Sequence, residues 1–368
     1  MPKLLNSTPL QDGFRMPGEF ERHSGCWMLW PERPDTFRLG AKPAQAAYAE
    51  TALAISQFER VTMGVSAGQF KNARQRLPEL IRVIEFSYND AWIRDTGPIC
   101  VTNGQSVRAV DWDFNAWGGL NGGLYFPWDQ DDLVARKVAE IEWLDRYKAP
   151  LVLEGGAITV DGEGTLITTA QCLLNPNRNP QCSKTEIEKY LCDYLGVESI
   201  LWVPRGSAED ETDGHVDGLC AFIRPGEVVL AWTDNAADPE YAIVREAYEF
   251  LQNFTDARGR KLKIHKLVNP TPIRLTAEES AGLDNVEDAL ARPAGKHMGG
   301  SYINFYLANG GLVVPLYNDP ADKAALTTLQ ALMPERQVVG IKNGREILLG
   351  GGMVHCITQQ IPSPQSKA

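Results

Sequence analysis

Apolar and polar positions along the chain change period repeatedly, and each change marks an element. "AYAETALAISQFE" (47–59) has helical spacing, and "VTMGVSA" (61–67) follows as a short apolar strand. "FKNARQRLPEL" (70–80) is a helix pattern and "IRVIEFSY" (81–88) a strand, then "SVRAVDWDFN" (106–115) a strand and "DDLVARKVAEIEWLDRY" (131–147) a helix. "APLVLEGGAITVDGEGTLITTAQCLL" (149–174) reads as two strands around a turn at Asp161-Gly162, a strong hairpin signal. "KTEIEKYLCDYLGV" (184–197) is a helix closing at Gly196, and "SILWVP" (199–204) a strand. "HVDGLCAFIRPGEVVLAW" (215–232) is a hairpin turning at Pro225-Gly226, with its first strand starting near His215. A helix (239–254), a strand (261–268), a hairpin turning at Asn309-Gly310-Gly311, a helix (322–333) and a strand (337–342) complete the series.

From about residue 100 the order hairpin, helix, strand recurs about three times, and the N-terminal part resembles more of the same unit. That is an α/β chain with internal repetition of about 60 to 80 residues. Such units are commonly closed radially, as in propellers, which protects sheet edges. A doubly wound parallel sheet is the rival. The hairpins and the absence of a G-x-G-x-x-G between strand and helix count against it. No Ser-rich, Pro-rich or charge-run linker divides the sequence. We therefore expect one domain over 1–368, with a loose tail at about 363–368.

Composition changes this picture only by exclusion. The net charge of -11 disfavours nucleic acid, which wants a basic surface; it mildly favours a cationic small substrate, but the weightier reading is that it only keeps the protein soluble. No run approaches a membrane span, and no apolar segment near the start precedes a small-residue cleavage site. The seven cysteines are an odd number, widely spread, and match neither a disulfide framework nor a zinc spacing. A reducing cytoplasm is the expected compartment.

Three short motifs place charge beside glycine at strand ends. "NDAWIRDTGP" (89–98) crowds Asp90, Arg94 and Asp95 around Trp92, then turns at Thr96-Gly97-Pro98. Its acids either cap a turn or, with the tryptophan, hold a cation. "LEGGAI" (153–158) sets Glu154 before two glycines, as a solvated loop acid or as an acid at the rim of a site. "EDETDGHVDGLC" (209–220) places His215 and Asp217 two apart, on one face of a strand. They either satisfy each other or act on a ligand. Asp210, Glu211 and Asp213 crowd the same approach, which is costly unless something cationic fills the space.

Near the end, "GGGMVHCITQQIP" (350–362) puts Cys356 after a triple glycine that admits close approach; taken alone it reads either as one more buried thiol, the commoner case for a cysteine, or as a nucleophile. His355 is its neighbour, and on an extended chain neighbours point to opposite faces, so His215 is the better partner for a reactive thiolate. The other six cysteines sit in strand or helix contexts and read as structural; His23, His265 and His297 show no convincing partners. "KHMGGSYINFY" (296–306) is either a repeated strand entry, the preferred reading, or a wall of the site.

"WIRDTGP", "EGGA", "GHVDG" and "GGGMVHCITQQIP", in this order and with the cysteine near the end, resemble the guanidine-modifying (pentein) superfamily, peptidylarginine-deiminase-like, and within it the agmatine deiminase branch. The resemblance reaches from "MPGEFERHSGCWMLWP" to the terminal cysteine. It implies a five-bladed pseudo-symmetric α/β propeller of ββαβ-type units with a central site. It also implies hydrolysis of agmatine to N-carbamoylputrescine and ammonia, a step of putrescine synthesis or agmatine use, by a homodimer. In that scheme Cys356 is the nucleophile, His215 the acid and then the base, and Glu154 the residue that orients His215. Asp95 and Asp217 bind the guanidinium edges; Trp92 walls the butyl chain; Glu211 and Asp213 receive the distal ammonium. No cofactor or metal is called for, because the substrate brings its own charge. The alternatives are the same chemistry on another guanidine such as free arginine, amidino transfer to an amine, or a non-catalytic guanidine-binding protein.

Overall fold

The computed structural model describes residues 2–364; most of the tail expected at 363–368 lies outside them. The chain is a mixed α/β fold. Its strands form five separate sheets of three or four strands and one two-stranded sheet, Ile273–Arg274 with His297–Met298. Among the described residues no helix is long and apolar enough to cross a membrane.

The five larger sheets share one construction. An antiparallel pair is followed by helix and then by a strand parallel to the second member. Ile99–Thr102 pairs antiparallel with Val107–Asp113, and after the helix Val134–Ile141 the strand Arg146–Val152 adds in parallel. Ile158–Val160 and Thr165–Thr169 precede the helix Lys184–Leu195 and the strand Ser199–Val203. Cys220–Arg224 and Glu227–Trp232 precede Tyr241–Asn253 and Lys263–Val268. Tyr306–Ala308 and Gly311–Pro315 precede Asp322–Leu332 and Gln337–Ile341. The fifth sheet joins the two ends of the chain: Gln359–Pro362 lies antiparallel to His23–Leu29, which continues through the helix Lys42–Ile55 into the parallel strand Val61–Val65.

Local chemistry explains most of these elements. The helix Lys184–Leu195 starts on a capping box, Ser183 with Glu186, and stops where Gly196 turns left-handed at φ 65°. The hairpin turns fall at Asp161–Gly164, Pro225–Gly226 and Asn309–Gly310, as the turn residues require.

Two expectations need correction. The stretch 149–174 is not one hairpin. Its first strand ends at Val152 in the preceding sheet, and a 3-10 turn at Gly155–Ala157 separates it from Ile158. The strand expected from His215 begins only at Cys220, so His215 and Asp217 sit in a turn and not on a strand face. Both breaks lie in connections between successive sheets.

Candidate active site

Each of those connections brings chemistry to one place. The segment between Arg82–Glu85 and Ile99–Thr102 carries Asp90, Trp92 and Asp95. The next, between Val152 and Ile158, carries Glu154; the third, between Val203 and Cys220, carries His215 and Asp217. The fourth, between Val268 and Tyr306, carries His297 and Asn304, and the fifth, between Ile341 and Gln359, carries His355 and Cys356.

Gly156 is where three of them meet. A Cβ there would lie 2.5 Å from His215 Nδ1 and 3.0 Å from both Asp217 Oδ2 and Asp95 Oδ1. The Gly156 N–H donates to Asp95 Oδ1 at 2.8 Å, and its carbonyl accepts from the Asp217 N–H at 3.2 Å. Only glycine leaves room for this approach. Trp117 Nε1 donates to Asp95 Oδ2 at 2.9 Å, which fixes the second oxygen. Cys356 Sγ lies 3.6 Å from Asp217 Oδ2 and within 3.3 Å of Asn304 Nδ2. A second glycine contact closes the site: a Cβ on Gly352 would meet the Trp92 ring at 2.5 Å and Cys356 Cβ at 3.0 Å.

Two cavities open on Cys356. The first is lined by Asp90, Trp92, Asp95, Trp117, Tyr125 and Cys356, among others. The second is lined by His215, Asp217, His297, Met298 and Gly299. "KHMGGSYINFY" is therefore a wall of the site, against the preferred reading of it as a strand entry. Trp92 stacks on Phe37 with centroids 5.5 Å apart, and its Nε1 donates to Asp90 Oδ2 at 3.0 Å.

The electrostatics correct a further expectation. Among the described residues no hydrogen bond joins Cys356 to His215; the sulfur's polar neighbours are Asp217 and Asn304. Burial, then Asp217 and Asp95, hold the Cys356 thiol well above its ordinary range. Burial opposes charge on His215 too, but Asp95, Cys172 and Glu154 outweigh it and push that imidazole well upward. The ring's nearest acids are Asp95 Oδ2 and Glu154 Oε2, each at 3.9 Å, and among the described residues neither Glu154 Oε2 nor His215 Nε2 has a hydrogen-bond partner. Glu154 thus faces His215 at a distance that can close to a hydrogen bond when the site fills.

The acid cluster expected to receive a cationic tail is already neutralised by the protein's own cations. Glu211 accepts from Arg292 at 2.6 Å and from Lys296. Asp213 accepts from Arg178 at 2.9 Å and Asn177 at 2.8 Å. Asp210 caps the His215 N–H at 2.8 Å. Glu211 still lines the first cavity, but its charge is spent. Asp90 lines the same cavity, buried, and among the described residues forms no salt bridge; Thr36, Trp92 and the Ala91 N–H donate to it.

The sequence reading missed Arg178, which is fully buried and ties three segments together. Its Nε donates to Glu154 Oε1 at 2.6 Å, Nη1 to the Trp117 carbonyl at 2.6 Å and Nη2 to the Thr212 carbonyl at 2.8 Å. Its only trace in the sequence is an arginine inside the turn-forming "NPNRNP" (175–180). Glu154, Cys172 and His215 each offer a ligand atom within 4.8 Å of the others, a group that could hold a metal ion. Arg178 already places a fixed cation on Glu154, and charge repulsion opposes a second. Cys172 is more than a distant structural thiol, since it packs against His215. His23 and His265 do have partners, Glu59 at 3.3 Å and Glu227 at 2.9 Å.

Comparison with known proteins agrees with this arrangement. The family model for Porphyromonas-type peptidyl-arginine deiminase matches residues 15–362. Agmatine deiminase from Pseudomonas aeruginosa is 57% identical over 362 residues, covering 98% of each chain. The structure of agmatine deiminase of Enterococcus faecalis superposes with a TM-score of 0.96 at 50% identity, covering 99% of this chain and 100% of that one. That of C. jejuni agmatine deiminase superposes with a TM-score of 0.76 at 25% identity, over 95% and 96% of the two chains. The chain therefore belongs to the Porphyromonas-type peptidyl-arginine deiminase family, on the side of its agmatine deiminases.

Proposed function

We propose that this chain hydrolyses agmatine to N-carbamoylputrescine and ammonia through a covalent amidino-cysteine. One observation carries the reading: two buried carboxylates, Asp95 and Asp217, approach Gly156 together, with a thiol 3.6 Å from Asp217. A planar cation with N–H edges suits that pair, since each carboxylate can accept a charge-assisted bond. The names of the relatives support the same substrate.

The bound guanidinium compensates both acids that raise the Cys356 thiol, so substrate binding favours the thiolate, and the thiol proton passes to solvent. Sulfur attacks the central carbon, and the adduct gives up one nitrogen, which leaves as ammonia after taking the proton of His215. The amidino group stays on sulfur. Neutral His215 then takes a proton from water, the hydroxide adds to the carbon, and the thiolate departs. Glu154, held by Arg178, supports the charged form of His215. Trp92 walls the aliphatic chain. Asp90 replaces Glu211 and Asp213 as the acceptor of the distal ammonium, because it lines the cavity and, among the described residues, forms no salt bridge. Free arginine fits less well: its carboxylate would need a free cation, and Arg292 is paired with Glu211.

The five like-built sheets, each handing one site-bearing connection to the next, support a five-bladed radial arrangement around the site and a single catalytic domain. The placement in polyamine synthesis, the cytoplasm and a homodimer rests on the family resemblance. Ammonia release from agmatine and arginine, measured side by side with intact-protein mass after an acid quench, tests the whole reading. Release from agmatine together with an amidino adduct on Cys356 supports it. Release from arginine alone overturns the tail assignment, and release from neither overturns the function.

A further inference from the structure

We propose that His355 is a positioning residue: an imidazolium clamped between Asp217 and Glu19 that keeps Asp217 ionised and turned toward the substrate guanidinium. The role of the guanidinium rests on the proposed function; the clamp does not.

The argument begins with proton count. His355 Nδ1 lies 2.9 Å from Asp217 Oδ2, and Nε2 lies 3.0 and 2.9 Å from the two oxygens of Glu19. A neutral imidazole has one N–H and would present a lone pair to one of these carboxylates. The ring is buried, so water cannot relieve that repulsion. Two protons satisfy both contacts as charge-assisted bonds. The groups facing the ring balance: Arg94 donates to Glu19 Oε1 at 3.0 Å, so two cations meet two anions. Cys220, which lines the small cavity on the same side, stays neutral because burial pushes its thiol up to about 12. The backbone is pinned as well, with the His355 N–H donating to Asn304 Oδ1 at 2.8 Å and the Arg94 Nε to the His355 carbonyl at 3.3 Å.

The clamp distinguishes two otherwise similar acids. Asp95 and Asp217 share one buried site, where like charges favour a single ionisation. Burial, and then the nearness of Asp217 and Glu154 against the pull of His215, raises Asp95. Burial acts most strongly on Asp217 too, but His355, together with His215 and Arg94, outweighs it and lowers that group. For His355 itself, burial and Arg94 oppose the charge while Glu19 and Asp217 favour it. Asp217 is thus the acid that favours ionisation before substrate arrives, and His355 holds it through Oδ2, the oxygen that also faces Gly156 and the Cys356 sulfur.

The test uses the full chain with His355→Gln, which can donate one hydrogen bond but carries no charge, and Glu19→Gln, which leaves the ring in place. Without the clamp Asp217 titrates higher, so the acid limb of kcat/KM should move up by about one pH unit or more. KM for agmatine at pH 7 should rise about tenfold or more, with a smaller fall in kcat. Glu19→Gln should shift both in the same direction by less. An unchanged acid limb and KM, with only a lower melting temperature, would mean that His355 is merely structural. Imidazole 15N shifts give a readout independent of activity, and with five histidines in the chain His355→Gln identifies the signal by subtraction. Both His355 nitrogens should remain protonated at pH 8. A neutral ring there overturns the clamp even if agmatine turns over, whereas a charged ring in a protein inert toward agmatine overturns only the function.

Discussion

A single sulfur atom decides the chemistry, and its surroundings set how it is reached. Cys356→Ser should lower turnover by at least about 10³-fold while leaving the melting temperature within a few degrees, because it removes nucleophilicity and little volume. Substantial residual activity would disqualify the nucleophile. The raised thiol adds a pH prediction. Since burial and two acids favour the protonated form, alkylation of Cys356 in the free protein should be slow at pH 7 and climb with pH through 9, followed by peptide mapping. A rate independent of pH between 6 and 8 would mean a resting thiolate. Arg178→Lys keeps a charge but loses the fork that holds Glu154, Trp117 and Thr212. Leaving buried acceptors unpaired costs about 1–3 kcal/mol each, so we expect a marked loss of stability together with a fall in kcat, read by thermal melting and steady-state kinetics.

At the scale of elements, the connections matter more than the strands. Gly156→Ala would drive a methyl toward His215, Asp217 and Asp95. Overpacking costs about 1–3 kcal/mol, but a misplacement of catalytic groups costs about 10²-fold in rate, so activity should fall much further than stability. An active Gly156→Ala enzyme would show that the three side chains can yield. This contrast also explains what was legible in the sequence. Helices and hairpins were readable because their signals are local: a capping box at Ser183, an Asp-Gly turn at 161–162, a short apolar run in 337–342. The motif acids, His215 and Cys356 were readable because charge beside glycine is unusual at strand ends. The partners were not. Arg178 in a polar turn, Asn304 in an apolar run and Glu19 near the start acquire meaning only when distant connections converge. The strand assigned to His215 failed for the same reason, since tertiary contacts at Gly156 and Asp210 hold that segment as a turn. The cost of crowded acids was recognised correctly, but the cations that relieve it at Glu211 and Asp213 are Arg292, Lys296 and Arg178, drawn from elsewhere in the chain.

The whole molecule explains why the nucleophile stands so near the chain's end. Three of the five like-built sheets are completed by consecutive segments and a fourth adds Leu4–Leu5 beside Arg146–Val152, but the fifth joins segments from both ends of the described chain: Gln359–Pro362 pairs with His23–Leu29 in a register that sets Gln359 against Trp27 and Gln360 against Cys26. Cys356 lies in the connection that leads into this strand, so closing the sheet and placing the sulfur are one event. Gln359 also donates to the Pro98 carbonyl at 2.8 Å, tying the strand to the segment that carries Asp95. Truncation after Thr358 leaves Cys356 in the sequence but removes its anchor and exposes a row of unpaired groups along Gly25–Trp27. The truncated chain should melt lower by about 5 °C or more and lose nearly all turnover, whereas Cys356→Ser should lose turnover alone. Melting curves and ammonia release on the two variants separate the cases. A truncated chain that keeps full activity would mean that the connection from Ile341 holds Cys356 unaided, and that closure of the fifth sheet contributes nothing to the site.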